Sequence, residues 1–120
     1  MSTQDEINAA IGAHGIWKAR LKSAIEKGTS EFSPSAVAYD DRCDFGKWLH
    51  GAATKHLKSS PHYAKCVELH RQFHIIAAKV LSLALTGKKD EAIRSMGAQG
   101  DYAQASAALT KEMMNWKSAL

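Results

Sequence analysis

His70 and His74 stand four residues apart in a stretch of helical periodicity, so both imidazoles leave one helix face about 6 Å apart along the axis. That spacing suits two ligands of one metal ion, although the same pattern also describes two partly buried histidines that bind nothing. Cys66 lies one turn before His70 and is in register with it, but sits about 12 Å along the axis from His74. With metal bonds of about 2.0 to 2.3 Å, Cys66 and His74 do not readily share one ion on an unbroken helix. Cys66 therefore reads as a small buried core residue. Cys43 is the better donor, because the first turn of a short helix and the neighbouring Arg42 favour a thiolate, the form that binds metal and reacts with oxidants. His14 falls in the apolar stripe of the first helix, where a buried polar ring needs a partner. Together His14, Cys43, His70 and His74 make a set of three nitrogens and one sulfur drawn from three helices, and such borderline-soft donors suit zinc over magnesium or calcium. His50, His56 and His62 stand in polar, loop-like surroundings and read as surface histidines outside the set. Asp41 or Asp44 can orient a ligand histidine or tune the thiolate, though an acidic residue beside a helix start also serves as a plain cap. Trp17, three residues after His14, reads as a core residue that walls the site.

Those residues need helices to position them. Thr3 and Glu6 form a capping box, and Ile7, Ile11, His14, Trp17, Leu21 and Ile25 trace one helical face up to Gly28. Residues 29–41 lose the periodicity and read as a connector, with room for one helical turn begun by Ser33 and Pro34. Asp40 or Asp41 can cap a short helix that holds Cys43, Phe45, Trp48 and Leu49 and ends near Gly51. Ser60 and Pro61 start a long helix running through Tyr63, Cys66, His70, Phe73, His74, Ala77, Val80, Leu81 and Ala84 to Gly87. A last helical stretch carries Ala92, Ile93 and Met96, pauses at Gly97 and Gly100, and resumes with Tyr102, Ala105, Leu109, Met113 and Trp116; the pattern fits one kinked helix or two. With no hairpin dipeptides and short connections, the expected fold is all-α: an antiparallel four-helix bundle with an additional short helix carrying the cysteine ligand.

The 120 residues suit a single domain spanning residues 1–120. At 45% hydrophobic and 23% charged, with two prolines, the composition excludes disordered and low-complexity classes and allows a core that needs neither disulfide nor metal to form. Sixteen basic against twelve acidic residues leave a net charge of +4, scattered along the chain, which argues against a nucleic-acid partner. Two distant cysteines do not make a secreted disulfide framework, and no signal core or 18-residue apolar run is visible. A cytoplasmic protein without membrane insertion is the expectation.

Three segments carry a resemblance: His14-Gly15-Ile16-Trp17-Lys18 with Leu21, Cys43-Asp44-Phe45-Gly46-Lys47-Trp48-Leu49, and His70-Arg71-Gln72-Phe73-His74. In this order they resemble the chemoreceptor zinc-binding domain family, found on bacterial chemoreceptors and diguanylate cyclases and sometimes free-standing. The resemblance implies Zn2+ held by His14, Cys43, His70 and His74 in a helical bundle that often pairs as a homodimer. It also implies sensing of zinc availability or of hypochlorous acid, the oxidant acting at Cys43. No cyclase motif, receptor coiled coil or membrane span follows in the sequence. The expected output is therefore in trans, on a partner of chemoreceptor or cyclic-di-GMP type.

Rival chemistries fit less well. A zinc hydrolase needs an open coordination position and a general base, but Arg71 stands where the helical metalloprotease motif has glutamate, and four ligands already fill a tetrahedron. No enzymatic activity is expected. A di-iron bundle needs carboxylates projecting inward, and Glu68, two residues before His70, faces elsewhere. The remaining alternative is a zinc-binding or plain helical interaction module without sensory function.

Overall fold

In the computed structural model, residues 3–39, 44–51, 57 and 59–119 are described. They form six helices: α1 (Thr3–Lys27), α2 (Pro34–Val37), α3 (Asp44–His50), α4 (Pro61–Leu85), α5 (Lys89–Met96) and α6 (Asp101–Ala119). There is no strand among the described residues, so the all-α class stands. No helix among them is long and apolar enough to cross a membrane.

Local chemistry explains most boundaries. α1 stops where Gly28 takes φ 69°, a left-handed conformation that lets its N–H bond the Ala24 carbonyl at 2.8 Å. Ser33 caps α2 by accepting from the Ala36 N–H at 3.2 Å, with Pro34 in the first helical position. Ser60 and Pro61 open α4 in the same manner, with the Ser60 hydroxyl accepting from His62 N at 3.2 Å. The capping-box carboxylate of Glu6 has another use, accepting the indole N–H of Trp48 and so tying α3 to the start of α1.

Directions follow from paired residues. Tyr63 meets Trp116 with ring centroids 6.0 Å apart, Phe73 meets Tyr102 at 5.3 Å, and Lys79 Nζ lies 3.7 Å from Asp101. Numbers rise on α4 as they fall on α6, so the two helices run antiparallel. Gln4 donates to the Lys117 carbonyl at 3.2 Å while Trp17 packs on His74, which runs α1 antiparallel to α6 and in the same direction as α4. Between the three long helices Ile7, Leu21, Phe73, Leu81, Leu109, Met113 and Trp116 are fully buried. Each such side chain stabilises the fold by roughly 1.5–3 kcal/mol relative to exposure.

The last helical stretch is two helices, parted at residues 97–100. Here Gly100 is required for closeness: a Cβ built on it falls 2.1 Å from the Ser95 carbonyl oxygen and 2.3 Å from that of Arg94. The turn lets α5 pack against both α4 and α6.

His62 differs from its expected place in a surface loop. It sits in the first turn of α4, half-buried, and its Nδ1 donates to Glu112 Oε1 at 2.7 Å, while Lys65 Nζ lies 3.4 Å from the other carboxylate oxygen. Glu112 on α6 is only 4% exposed. Burial alone would raise its pKa, but the His62 hydrogen bond, the charge and hydrogen bond of Lys65 and a hydrogen bond from Asn115 outweigh it and hold the carboxyl below the usual range. His50 is exposed as expected, and His56 lies outside the described residues.

Two predictions follow from these contacts. Gly100→Ala should cost about 1–3 kcal/mol through the forced clash, read as a lowered urea midpoint; an unchanged midpoint would show that the turn relaxes freely. Because the folded pKa of Glu112 is depressed, its stabilisation is complete above the ordinary glutamate range and is lost as pH falls through the lower folded value. Thermal unfolding followed from about pH 7 down to about pH 3 should show a shallower acid decline in Glu112→Gln than in the parent.

Candidate metal centre

α4 delivers His70 and His74 into the core, 0% and 1% exposed. Their rings stand edge to face with centroids 4.5 Å apart, and the two Nε2 atoms face each other at 3.0 Å. The other nitrogen of His74 is settled by backbone: Nδ1 lies 2.9 Å from the Val37 carbonyl oxygen. A carbonyl only accepts, so Nδ1 carries the proton and a neutral His74 turns the Nε2 lone pair towards His70. Two nitrogens bound to one tetrahedral ion at about 2.0–2.1 Å lie about 3.3 Å apart. The observed separation is close to that, and the pair fits a zinc ion on the chemistry and placement of its donors.

α2 supplies this carbonyl. The helix is four residues long, its Val37 side chain is buried, and its capped start sets the direction in which Val37 O points. Ring orientation by a hydrogen bond on the far nitrogen is what a metal-ligating histidine requires. The sequence carries no sign of it, since a backbone acceptor has no residue type.

α1 supplies the opposite wall. Trp17, 8% exposed, meets the His74 ring edge-on at 6.0 Å, and Phe73 meets it at 5.6 Å from within α4. Since α1 and α4 run in the same direction and Trp17 is level with His74, residue 14, one turn earlier, is level with His70 along the bundle. The side chain of His14 lies outside the described residues, as do Asp41, Cys43 and the side chain of Asp44. Cys43 directly precedes α3 and follows Val37 by six residues. Among the described residues, no third His, Cys, Asp or Glu joins the histidine pair.

Cys66 occupies the core of α4, 0% exposed, with its thiol free of any disulfide. Burial pushes its pKa up to about 12, the charge of Glu112 adds to the rise, and Lys65 opposes it. A thiol so held is neither a ready metal ligand nor a nucleophile. Arg71, on the exposed side of α4, forks onto Glu68 through Nε at 3.1 Å and Nη2 at 2.6 Å. In the Cys43→Ser variant, Ellman's reagent at about pH 8 should therefore find no reactive thiol in the folded chain and one after denaturation. Rapid labelling of the folded variant would contradict the burial of Cys66.

Comparison with known proteins gives the family. No curated protein and no solved structure matches the chain. A family model described as the chemoreceptor zinc-binding domain matches residues 14–81, more than half of the 120, from the middle of α1 almost to the end of α4. The matched span contains Trp17, Val37, the start of α3 and both buried histidines, and on that match the chain belongs to the chemoreceptor zinc-binding domain family, a family of zinc-binding sensory domains.

Proposed function

We propose that this domain is a zinc-dependent sensor in which His14, Cys43, His70 and His74 hold the ion and Cys43 is the group an oxidant attacks. The observation that carries the reading is the buried pair of imidazoles with facing Nε2 atoms, one of them fixed in its tautomer by Val37. A bound zinc ion would draw these lone pairs together and keep a ligating cysteine deprotonated. The residues' own part is to present the donors: α4 sets the spacing of His70 and His74, the Val37 carbonyl holds the Nδ1 proton of His74, and Trp17 keeps apolar surface against its ring. Asp41 and Asp44 are candidates for tuning the Cys43 thiolate.

In the redox branch, the Cys43 thiolate takes up oxygen from hypochlorous acid, giving a sulfenic acid and releasing chloride. The product no longer offers a thiolate donor, so α1, the segment before α3, and α4 lose one shared tether. Such a loss shifts the bundle between two packings only by the difference in affinity that the two packings have for the ion. We place the output on a signalling chain of chemoreceptor or cyclic-di-GMP type, and the working form in a cytoplasmic homodimer, on the family resemblance alone. Hydrolysis is the weaker reading, because the position of a general base holds Arg71, engaged with Glu68.

The test is metal content by elemental analysis of protein prepared without a metal-binding tag. It is repeated after hypochlorous acid and in Cys43→Ser. About one zinc per chain, released on oxidation and weakened by the substitution, is the expected outcome. Zinc that stays bound through oxidation would leave a structural role, and protein without zinc would overturn the reading.

A further inference from the structure

An open surface cavity of about 560 Å³ lies where α6 meets Lys18 of α1 and Met96 at the end of α5. α1 and α6 run antiparallel with Gln4 against Lys117, so Lys18 comes level with the start of α6, where Tyr102 and Ser106 border the cavity. Further along, Ala107 and Met114 share one face of α6 and carry apolar surface out to the exposed Met114 thioether. Both charged residues on the border, Lys18 and Lys111, are cations. No carboxylate borders the cavity among the described residues, and neither lysine is held in an ion pair by any of them.

Tyr102 is the unusual member of this border. It is 3% exposed, and its ring packs on Phe73 inside the bundle with centroids 5.3 Å apart. A phenol so placed ordinarily has a hydrogen-bond partner, yet its hydroxyl bonds to no other described residue. The oxygen is not sealed in the core either, so an acceptor can reach it from the cavity. Burial pushes the phenol up to a pKa of about 12, which keeps the proton on the oxygen and makes the group a donor at neutral pH. An acceptor that also carries negative charge satisfies this hydroxyl and the Lys18 ammonium together.

We infer that this cavity binds a free amphiphilic carboxylate, whose acid group accepts from the Tyr102 hydroxyl and pairs with Lys18 while its hydrocarbon chain lies over Ala107 and Met114. The cavity volume is in the range of small-molecule sites, which combine apolar walls with a few polar groups that fix the ligand. Met96 and Met114 suit a flexible chain, since unbranched thioethers adapt their shape to what they touch. The inference is independent of the zinc reading and gives the domain a second ligand of another class.

The experiment titrates decanoate into the full chain by isothermal calorimetry, with the helicity of each variant checked by circular dichroism. Saturable binding is expected, weakened roughly tenfold in Tyr102→Phe, which keeps the ring contact with Phe73. Lys18→Gln should weaken it about threefold, as befits an exposed cation. Lys89→Gln, outside the cavity, should bind as the parent does, and decan-1-ol, with the same chain and no charge, should bind at least about tenfold more weakly. Decanoate that fails to bind, or that binds the parent, Tyr102→Phe and Lys18→Gln alike, would overturn the site. Two other occupants have their own readouts, each with decanoate unbound: a dimer in sedimentation that Met114→Lys dissociates, or association with phosphatidylglycerol vesicles alone. Either would give the face to a second copy or to a membrane and reject the carboxylate.

Discussion

Two imidazole rings in an apolar interior, on successive turns of one helix, constrain everything around them. A buried ring nitrogen without a partner is costly. His74 meets the demand on one side through Val37 O and on the other through His70. This gives the four-residue α2 a task besides burying Val37 against α4: it aims a carbonyl at His74, and Ser33 and Pro34 begin it with the geometry for that. Trp17 lays a broad, mostly apolar ring edge-on to the imidazole and closes the space there.

The stabilising contacts of the bundle are largely elsewhere. Tyr63, Trp48 and Trp116 gather near the start of α4 and the end of α6, where Tyr63 also donates to the Leu49 carbonyl at 2.6 Å and Trp48 to Glu6. Glu112, His62 and Lys65 add a polar tie between α4 and α6 at that end. About 16 Å of α4 separates this cluster from His74. This aromatic cluster thus lies apart from His74 along α4, while Phe73 links His74 to Tyr102 of α6.

Periodicity made the helices legible, and Ser60-Pro61 marked the start of α4 because a cap and a ring-locked φ are properties of single residues. The histidine pair was legible for the same reason, as spacing on one face. The preference for Cys43 over Cys66 as a ligand rested on axial distance and on the thiolate-favouring first turn beside Arg42, while the reading of Cys66 as a core residue matches its burial. Phe32, which packs on Trp17, was hidden because a connector without periodicity shows no facing, and its partner Arg20 looks in sequence like any exposed cation. Glu112 is a buried carboxylate that nothing in its own position announces, and its contacts with His62, fifty residues away in the chain, with Lys65 and with Asn115 account for it. The separation of α5 from α6 depends on two carbonyl oxygens crowding Gly100, a fact of three dimensions.

The uneven placing of the three indoles has an optical consequence. Trp48 and Trp116 lie with ring centroids 5.6 Å apart, while Trp17 stands away from them beside an imidazole, some 16 Å further along α1 from the turn that Trp48 touches. The edge-on contact places Trp17, alone of the three indoles, against the ring of His74. An intrinsic fluorophore therefore already stands in the wall of the histidine pair.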